Sequence, residues 1–253
     1  MNLGLAGKRA IITGGTRGIG RKIAETLAAD GCDVALCARS ADAVEDTVTA
    51  LKASGVRAIG SPVDVGNNDA VRAWVASAAD ELGGLDILVP NVSAMGTAPG
   101  EESWRAGTEI DLLGTVRAVE AAMPYLEKSD AASIVAIASV AAVAVFGGVR
   151  PYNAVKAALI AYMAALSAEL APKRIRANSV SPGTIYFDGG VWQQREREAP
   201  EIFKMAFNRN PMGRMGTPQE VANATVFLAS PAASFITGTN LIVDGALSQR
   251  VQF

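Results

Sequence analysis

The sequence of 253 residues contains no histidine and only two cysteines. Without an imidazole, the protein has no histidine acid, base or metal ligand, and two cysteines are too few for a usual structural zinc site. Cys32 and Cys37 lie in one short apolar segment. They are therefore predicted to be buried thiols in a reducing compartment, not a disulfide framework. Acid–base chemistry in this chain must come from other side chains.

Charge and membrane signals are also weak. The formal net charge is −2, so no basic field predicts a nucleic-acid partner. The N-terminus reaches glycines too soon for a signal peptide. The uncharged run at 131–149 is mostly Ala, Ser and Gly and ends near a Gly-Gly pair, which favours a buried strand followed by a loop over a membrane span. We expect a cytoplasmic protein with no membrane partner.

Short apolar runs alternate with helical patterns along the whole chain. Such alternation predicts βαβ units, and runs without polar interruption suit strands that are buried on both faces of a parallel sheet. The apolar runs lie at 9–14, 32–38, 57–64, 85–91, 133–139, 175–182 and 240–245, and the helical patterns include 19–30, 41–54, 67–82, 107–127 and 152–171. No linker or repeat divides the chain. We predict one α/β domain over 1–253, a Rossmann-like, doubly wound, mostly parallel seven-stranded sheet with helices on both faces.

The first apolar run leads into a glycine-rich turn, "TGGTRGIG", at 13–20. Gly14, Gly18 and Gly20 lack Cβ atoms, so backbone N–H groups can approach a pyrophosphate at the start of the next helix. The spacing differs from the usual G-x-G-x-x-G dinucleotide pattern. The alternative is a tight connection between strand and helix that binds nothing, but the position of the turn directly after the first strand favours dinucleotide binding.

A tyrosine and a lysine stand four residues apart in an alanine-rich stretch, "RPYNAVKAAL". On a helix, Tyr152 and Lys156 share one face. They could simply keep polar tips in water above apolar stems. Alternatively, an ammonium about 4 Å from a phenol contributes about 4 kcal/mol at an effective dielectric near 20, which lowers the phenol pKa by roughly three units. Tyr152 could then exchange a proton near neutral pH.

Taken together, these motifs resemble the short-chain dehydrogenase/reductase family. The resemblance runs from Lys8 to Gly245 and includes Ser139, 13 residues before Tyr152, where the family keeps its catalytic serine. "NSVSPG" at 178–183 and the segments at 211–230 and 237–246 also match. The resemblance implies an oxidoreductase that interconverts a carbonyl and a secondary alcohol with NAD(P), with Ser139, Tyr152 and Lys156 as catalytic residues. It also implies a homotetramer, with a dimer as the alternative. Two long apolar helical stretches support assembly, because helices that are apolar all round are buried.

The resemblance also implies a set of dinucleotide contacts. Where the family selects NAD with an acidic residue, this chain has Ala38 followed by Arg39, and Arg17 lies within the glycine turn. Two arginines and no carboxylate favour the 2′-phosphate of NADP. The resemblance places Asp64 where the family keeps an aspartate that binds the adenine amino group. Alternatively, Asp64 belongs to a turn that initiates the next helix. The predicted cofactor-binding residues are Gly14, Thr16, Arg17, Gly18, Ile19, Gly20, Arg39, Asp64, Val65, Asn91, Tyr152, Lys156, Pro182, Gly183 and Ile185; no metal ligand is predicted.

The chain departs from the family pattern at two places. Pro90 follows the fourth strand where the family has a residue with an N–H, so we expect a locally altered strand end there. Asp111 takes the place of a helix asparagine that the family often uses as a fourth catalytic residue. A carboxylate accepts hydrogen bonds but cannot donate unless protonated, so the catalytic role of Asp111 is open and its charge could tune Lys156.

The segment at about 184–212 is predicted to form a lid over the substrate. Its apolar side chains, with others near Ser139, either line a pocket or pack the lid onto the body. The candidate pocket residues are Met95, Val143, Phe146, Phe187, Trp192 and Phe207, and Phe187 stands near the place of a family threonine. We predict an NADPH-dependent carbonyl reductase acting on a hydrophobic ketone. The alternatives are a 3-oxoacyl-(carrier protein) reductase, an NAD-dependent alcohol dehydrogenase and a catalytically silent dinucleotide-binding scaffold.

Overall fold

A single parallel sheet organises the protein. The computed structural model describes residues 2–96, 98–146 and 148–249. The strands are β1 (Arg9–Thr13), β2 (Asp33–Ala38), β3 (Ala58–Pro62), β4 (Ile87–Val89), β5 (Ser133–Ile137), β6 (Arg176–Pro182) and β7 (Asn240–Val243). Their order in the sheet is β3-β2-β1-β4-β5-β6-β7, and every neighbouring pair is parallel. The predicted seven-stranded, doubly wound sheet is confirmed.

Helices cover both faces of this sheet. They are α1 (Gly18–Ala29), α2 (Ala41–Lys52), α3 (Asn68–Leu82), α4 (Glu101–Gly107), α5 (Gly114–Leu126), α6 (Pro151–Leu170), α7 (Val191–Glu198), α8 (Pro200–Asn208) and α9 (Pro218–Ala229). One apolar core joins the sheet to α3, α5 and α6. A second core joins its other face to α1, α2 and α9.

The two cores explain why the strands have continuous apolar sequences. Successive side chains of a strand point to opposite faces. Ile11 accordingly belongs to the core with α3, α5 and α6, while Ile12 belongs to the core with α1, α2 and α9. Both are fully buried, and each such side chain contributes roughly 1.5–3 kcal/mol relative to exposure. A polar residue at either position would face a dry core.

Two of the predicted segments have internal structure that the sequence pattern did not show. The predicted helix at 107–127 is divided, because a π-helical turn at Thr108–Leu113 separates α4 from α5. The apolar run at 131–149 contains β5 and a 3₁₀ turn at Val140–Ala142, so the predicted strand followed by a loop is confirmed. By length and composition alone, the helical segment Pro151–Lys173 could cross a membrane. In the structure it packs against β6 and α4.

The fourth strand ends where a proline removes the hydrogen-bond donor. β4 stops at Val89, and Pro90 follows it. The carbonyl of Pro90 still accepts a hydrogen bond from the Ile137 N–H at 2.9 Å. The neighbouring strand is thus still bonded at Pro90 through the carbonyl, and the locally altered strand end expected there stays a prediction.

At the amino end of the sheet, Arg9 and Asp86 form a shielded ion pair. Arg9 donates from Nε to Asp86 Oδ2 at 2.8 Å and from Nη2 to Oδ1 at 3.0 Å, and Ser129 donates to the same Oδ1 at 2.6 Å. Burial alone would raise the pKa of Asp86, but the hydrogen bonds from Arg9 and Ser129 outweigh it and hold the pKa below its ordinary value. Both carboxylate oxygens therefore have directed donors.

Arg176 performs a similar role for the end of a helix. The side chain is buried and donates to the carbonyls of Leu228 at 2.6 Å, Ala229 at 3.2 Å and Ser230 at 3.0 Å. These carbonyls lie at the C-terminus of α9, where a helix leaves acceptors without intrahelical partners. The positive charge also complements the dipole of the helix.

Both cysteines are buried in the sheet region, as the sequence predicted. Burial raises the pKa of the Cys37 thiol to about 12 and raises the pKa of Cys32 as well. The backbone carbonyl of Cys37 accepts from the N–H groups of Gly14 and Gly15 at 2.8 and 3.1 Å. Cys37 thus anchors the first residues of the glycine turn to β2.

Candidate active site

The predicted cofactor residues meet at one edge of the sheet. Parallel strands place all their carboxyl ends at the same edge, where open α/β sheets bind ligands. The glycine turn follows β1, Arg39 follows β2, Asp64 and Val65 follow β3, and Asn91 follows β4. Pro182 ends β6, with Gly183 and Ile185 directly after it. Residues distant in sequence are therefore brought to one edge of the sheet.

The glycines of the turn are required by its geometry. Gly14 and Gly18 have φ values of +68° and +52°, in the left-handed region that side chains disfavour. A Cβ on Gly20 would lie 2.1 Å from the carbonyl oxygen of Gly14. No other residue fits at Gly20 without moving the turn. The half-buried backbone of this turn, which forms a cradle, and the N-terminus of α1 fit the pyrophosphate of a dinucleotide.

Asn91 holds the turn from the neighbouring strand. Its Nδ2 donates to the carbonyls of Thr13 at 3.1 Å and Gly14 at 3.0 Å. Its backbone N–H donates to Thr13 Oγ1 at 3.0 Å. In this structure the Asn91 side chain supports the cradle, and its predicted direct contact with the cofactor stays a prediction.

An aromatic ring lies against the start of α1. A Cβ built on Gly18 would be 2.5 Å from Cζ of Phe187, so the ring packs directly on the glycine backbone. Phe187 follows β6, at the beginning of the predicted lid. The structure therefore places this predicted substrate-pocket residue beside the dinucleotide cradle. Its contact with substrate stays a prediction.

Two arginines stand at the start of α1 and at the end of β2. Arg17, at the N-cap of α1, and Arg39, directly after β2, are both exposed. Within the part of the chain that the structure describes, neither arginine forms an ion pair with a carboxylate. Asp64 accepts from the Gly66 N–H at 2.9 Å, which fits its alternative interpretation as a turn residue.

The predicted catalytic residues lie at the junction of β5 and α6. Pro151 and Tyr152 open α6, and the Tyr152 N–H donates to the Gly96 carbonyl at 3.2 Å. The Lys156 ammonium lies 6.0 Å from the centroid of the Tyr152 ring. Ser139 is buried two residues beyond β5, and its Oγ accepts from the Ala141 N–H at 3.1 Å. Because the oxygen is the acceptor in that contact, the serine hydroxyl hydrogen can still be donated to another group.

Lys156 is the most buried of the predicted catalytic side chains, at 2% exposure. Its ammonium donates to the Ile137 carbonyl at 3.0 Å and lies 3.1 Å from Asp111 Oδ1. The second carboxylate oxygen of Asp111 accepts from the Ala94 N–H at 2.7 Å. Sequence reasoning missed Ile137 and Ala94, because both act through backbone atoms that leave no residue signature.

The predicted lid consists of α7 and α8 with their connections. Trp192 stacks with Arg195, whose Cζ lies 4.8 Å from the ring centroid. Burial, with a smaller effect of the Arg150 charge, lowers the pKa of Arg195. Phe203 packs on both Tyr186 and Phe207, with ring centroids 6.1 Å apart in each case. Phe207 thus contacts other lid aromatics, and its predicted substrate contact stays a prediction.

The remaining pocket candidates lie on two loops near Tyr152. Met95 has φ +53°, is exposed and precedes Gly96, whose carbonyl receives the Tyr152 N–H. Val143 and Phe146 follow Ser139 and are half-buried. Both loops adjoin the junction of β5 and α6 that holds Ser139 and Tyr152, so they can border a substrate there.

Comparisons with known proteins identify the class. A family model described as Enoyl-(Acyl carrier protein) reductase matches residues 14–248. Isoepoxydon dehydrogenase of Penicillium expansum is 38% identical over 257 residues, covering 100% of this chain and 99% of the relative. Dehydrogenase/reductase SDR family member 4 of Oryctolagus cuniculus is 36% identical, covering 98% and 96%. The chain belongs to the short-chain dehydrogenase/reductase family. It is an oxidoreductase that acts on an alcohol or ketone, as predicted.

Solved structures give the same result for the fold. L-sorbose reductase from Gluconobacter frateurii, complexed with NADPH and L-sorbose, superposes with a TM-score of 0.92 at 30% identity, covering 99% of this chain and 100% of that chain. A short-chain dehydrogenase from Burkholderia cenocepacia J2315 in complex with NADP has a TM-score of 0.88 at 33% identity, covering 96% and 98%. Both neighbours were solved with an NADP-type dinucleotide.

Proposed function

We propose that the protein is an NADPH-dependent carbonyl reductase that interconverts a small or cyclic hydrophobic ketone and its secondary alcohol. The observation that carries this proposal is the common edge shared by the glycine cradle and the Ser139–Tyr152–Lys156 corner. A dinucleotide on the cradle reaches toward the catalytic corner, because both follow the carboxyl ends of neighbouring strands.

The proton chemistry follows from the three side chains. When bound, the reduced dinucleotide supplies a hydride to the carbonyl carbon. Tyr152 gives its phenolic proton to the carbonyl oxygen, and Lys156 supplies the positive charge that favours this transfer. Ser139 donates a hydrogen bond to the same oxygen, where negative charge develops. In the reverse direction Tyr152 removes the proton from the alcohol.

NADP is the proposed dinucleotide because of the charges beside the cradle. Arg17 and Arg39 are exposed cations, and Ala38 offers no carboxylate to the adenosine ribose. Guanidinium groups bind a phosphate through charge-assisted hydrogen bonds that an unphosphorylated ribose cannot form. The NADP-type ligands in both solved neighbours support the same choice.

The main alternative substrate is an acyl chain on a carrier protein, which the description of the family model suggests. An acidic carrier needs exposed basic residues for docking. Three cations lie close together in the sequence, Lys173, Arg174 and Arg176. Two of them are already engaged: Arg176 is buried against backbone carbonyls, and Lys173 pairs with Glu127 at 2.6 Å. A free ketone is therefore the preferred substrate. L-sorbose, named with one neighbour, is likewise a small free molecule.

Assembly as a cytoplasmic homotetramer is part of the proposal. The outer face of α6 carries a row of exposed alanines: Ala154, Ala157, Ala158, Ala161, Ala164, Ala165 and Ala168. Small side chains let two helices approach closely, and an apolar helix face is stable when it is covered. The two buried thiols suit a reducing compartment. Sedimentation at micromolar protein tests the assembly, and a stable monomer would contradict it.

A reduction screen tests the activity. Ketones, cyclic diketones, ketoses and 3-oxoacyl thioesters are offered with NADPH and NADH side by side, and turnover is followed by the loss of absorbance of the reduced dinucleotide. We expect free cyclic or hydrophobic ketones with NADPH to give the highest kcat/KM. A preference for carrier-linked thioesters, or turnover with none of the carbonyls, would overturn the proposal.

A further inference from the structure

A buried ion pair stands behind the catalytic tyrosine. Lys156 and Asp111 are 2% and 3% exposed, and Nζ lies 3.1 Å from Oδ1. Only two carboxylates are buried in the described part of the chain, and the other, Asp86, lies at the opposite end of the sheet. At the family's asparagine position, this chain therefore places a negative charge in direct contact with the catalytic lysine.

The carboxylate is fixed by its own element. Asp111 lies in the π-helical turn between α4 and α5, and such turns are frequent at functional sites. Its Oδ2 accepts from the Ala94 N–H, and its backbone carbonyl accepts from Thr115 Oγ1 at 2.8 Å. Oδ1 approaches the ammonium without the orientation of a hydrogen bond. The interaction between Asp111 and Lys156 is therefore an ion pair that lacks the geometry of a hydrogen bond.

The pair limits what Lys156 can offer to its other neighbours. An ammonium has three N–H donors. One is given to the Ile137 carbonyl and the charge of the group is matched by Asp111, so only part of its donor capacity remains for the Tyr152 side. An asparagine would leave the ammonium uncompensated. An aspartate makes the pair neutral as a whole.

We propose that Asp111 is a positioning residue that holds the Lys156 ammonium and offsets its charge, so that Tyr152 keeps its proton in the resting site, which is the form of the phenol from which carbonyl reduction starts. This inference rests on the proposed function. Lys156 would otherwise stabilise a phenolate. With Asp111 beside it, loss of the phenolic proton leaves the corner with a net negative charge in a buried setting, which costs free energy.

The neighbouring charges do not replace Asp111. Arg150 precedes α6 at the same end as Tyr152, and its charge acts on Arg195 of α7. Glu109 shares the π-helical turn but pairs with Arg117. On α4, Glu101 pairs with Arg105, and both are exposed. A change confined to Asp111 therefore isolates the charge that contacts Lys156.

Asp111→Asn tests the proposal, because the amide keeps the size of the side chain and an acceptor for Ala94 while removing the charge. We expect the apparent pKa in the pH profile of kcat for alcohol oxidation to fall by about one unit or more, since Tyr152 then ionises more easily. Glu109→Gln, which removes a charge two residues away, should leave the profile in place.

If the apparent pKa in the kcat profile of Asp111→Asn equals that of the parent, or if kcat is lowered equally at every pH, the inference is overturned and Asp111 has only a structural role. A second measurement needs only the parent protein and Tyr152→Phe. Their difference in phenolate absorbance reports the ionisation of Tyr152, and we expect no phenolate signal from Tyr152 at neutral pH in the parent. Ionisation below neutral pH would also overturn the inference. If Tyr152→Phe keeps full turnover, the proposed function itself fails.

Discussion

The two ends of the sheet both bury charge, but they treat it differently. At the amino end, Asp86 receives directed hydrogen bonds from Arg9 and Ser129, and Arg176 caps three carbonyls of α9. At the carboxyl end, Asp111 lies against Lys156 with one oxygen that lacks a directed donor. The amino end therefore gives directed partners to Asp86 and Arg176, whereas the carboxyl end leaves one oxygen of Asp111 without a directed donor.

This difference in hydrogen bonding assigns the amino end of the sheet to stability and the carboxyl end to catalysis. Fully paired buried charges hold a structure in one arrangement, since removing one partner leaves the other without compensation. Groups with unused hydrogen-bonding capacity can bind a substrate or exchange a proton. We therefore expect substitutions at the carboxyl end to change rates and those at the amino end to change unfolding. The following predictions, from the largest effect to the smallest, test this division.

Tyr152→Phe should give the largest effect at the carboxyl end. The substitution removes the transferable proton and keeps the ring, so kcat should fall by about 10²–10⁴-fold while the unfolding midpoint stays near that of the parent. Tyr162→Phe, a matched change further along α6, should leave kcat unchanged. Steady-state kinetics and thermal unfolding of both variants provide the check. Equal turnover in Tyr152→Phe and the parent would remove Tyr152 from the mechanism.

Ser139→Ala and Ser133→Ala compare the two ends on a single strand. Ser139 lies just beyond the carboxyl end of β5, and its loss should lower kcat by about 10²–10³-fold if the hydroxyl acts as one oxyanion donor. Ser133 begins the same strand and donates to the Leu228 carbonyl at 3.3 Å. Its loss should affect stability and spare kcat. The division fails if Ser133→Ala costs more activity per folded molecule than Ser139→Ala.

Asp86→Asn should destabilise the amino end by about 2–3 kcal/mol, because charged hydrogen bonds to Arg9 are lost. The depressed pKa of Asp86 means that its stabilisation is present above the unfolded pKa and disappears as the pH falls through the folded value. The gap in urea unfolding between parent and variant should therefore narrow below about pH 4. Asp130→Asn, at an exposed pair with Lys8, should unfold almost like the parent. A gap that is constant with pH would show that the charge of Asp86 is not the cause.

Arg39→Ala should give the smallest effect and act on cofactor choice alone. The loss of one charge-assisted contact should weaken NADPH by roughly 10- to 100-fold and leave NADH nearly unchanged. Dinucleotide fluorescence titrations measure both affinities without substrate. Lys52→Ala, which removes a cation at the far end of α2, is the matched control. Equal weakening of NADPH and NADH would show that Arg39 does not contact the 2′-phosphate.

The fold was predictable because each element has a local signature. The apolar runs marked all seven strands, since burial on both faces requires them, and the predicted spans agree with the observed ones to within a few residues. The π-helical turn at Thr108–Leu113 left no such signature. Hydrophobic periodicity does not separate one wide turn from a continuous helix over so short a segment.

The candidate site was predictable where it depends on side-chain identity. Tyr152, Lys156 and Ser139 stand at a spacing that the sequence displays. The acceptor for Lys156 is the carbonyl of Ile137, and the donor to Asp111 is the N–H of Ala94; any residue supplies these groups, so the sequence is silent about them. The packing of Phe187 on Gly18 likewise depends on the path of the chain after β6.

Because Cys37 is buried, the rate at which its thiol is chemically labelled can report transient opening of the sheet. A thiol reagent reacts with the thiolate, and this group is both inaccessible and held protonated by a pKa of about 12. Labelling therefore requires β2 to separate from its neighbours. Its rate depends on the fraction of molecules in which the centre of the sheet is transiently open. The Cys37 carbonyl also accepts hydrogen bonds from Gly14 and Gly15, so the same labelling rate reports how often the glycine turn loses its attachment to β2.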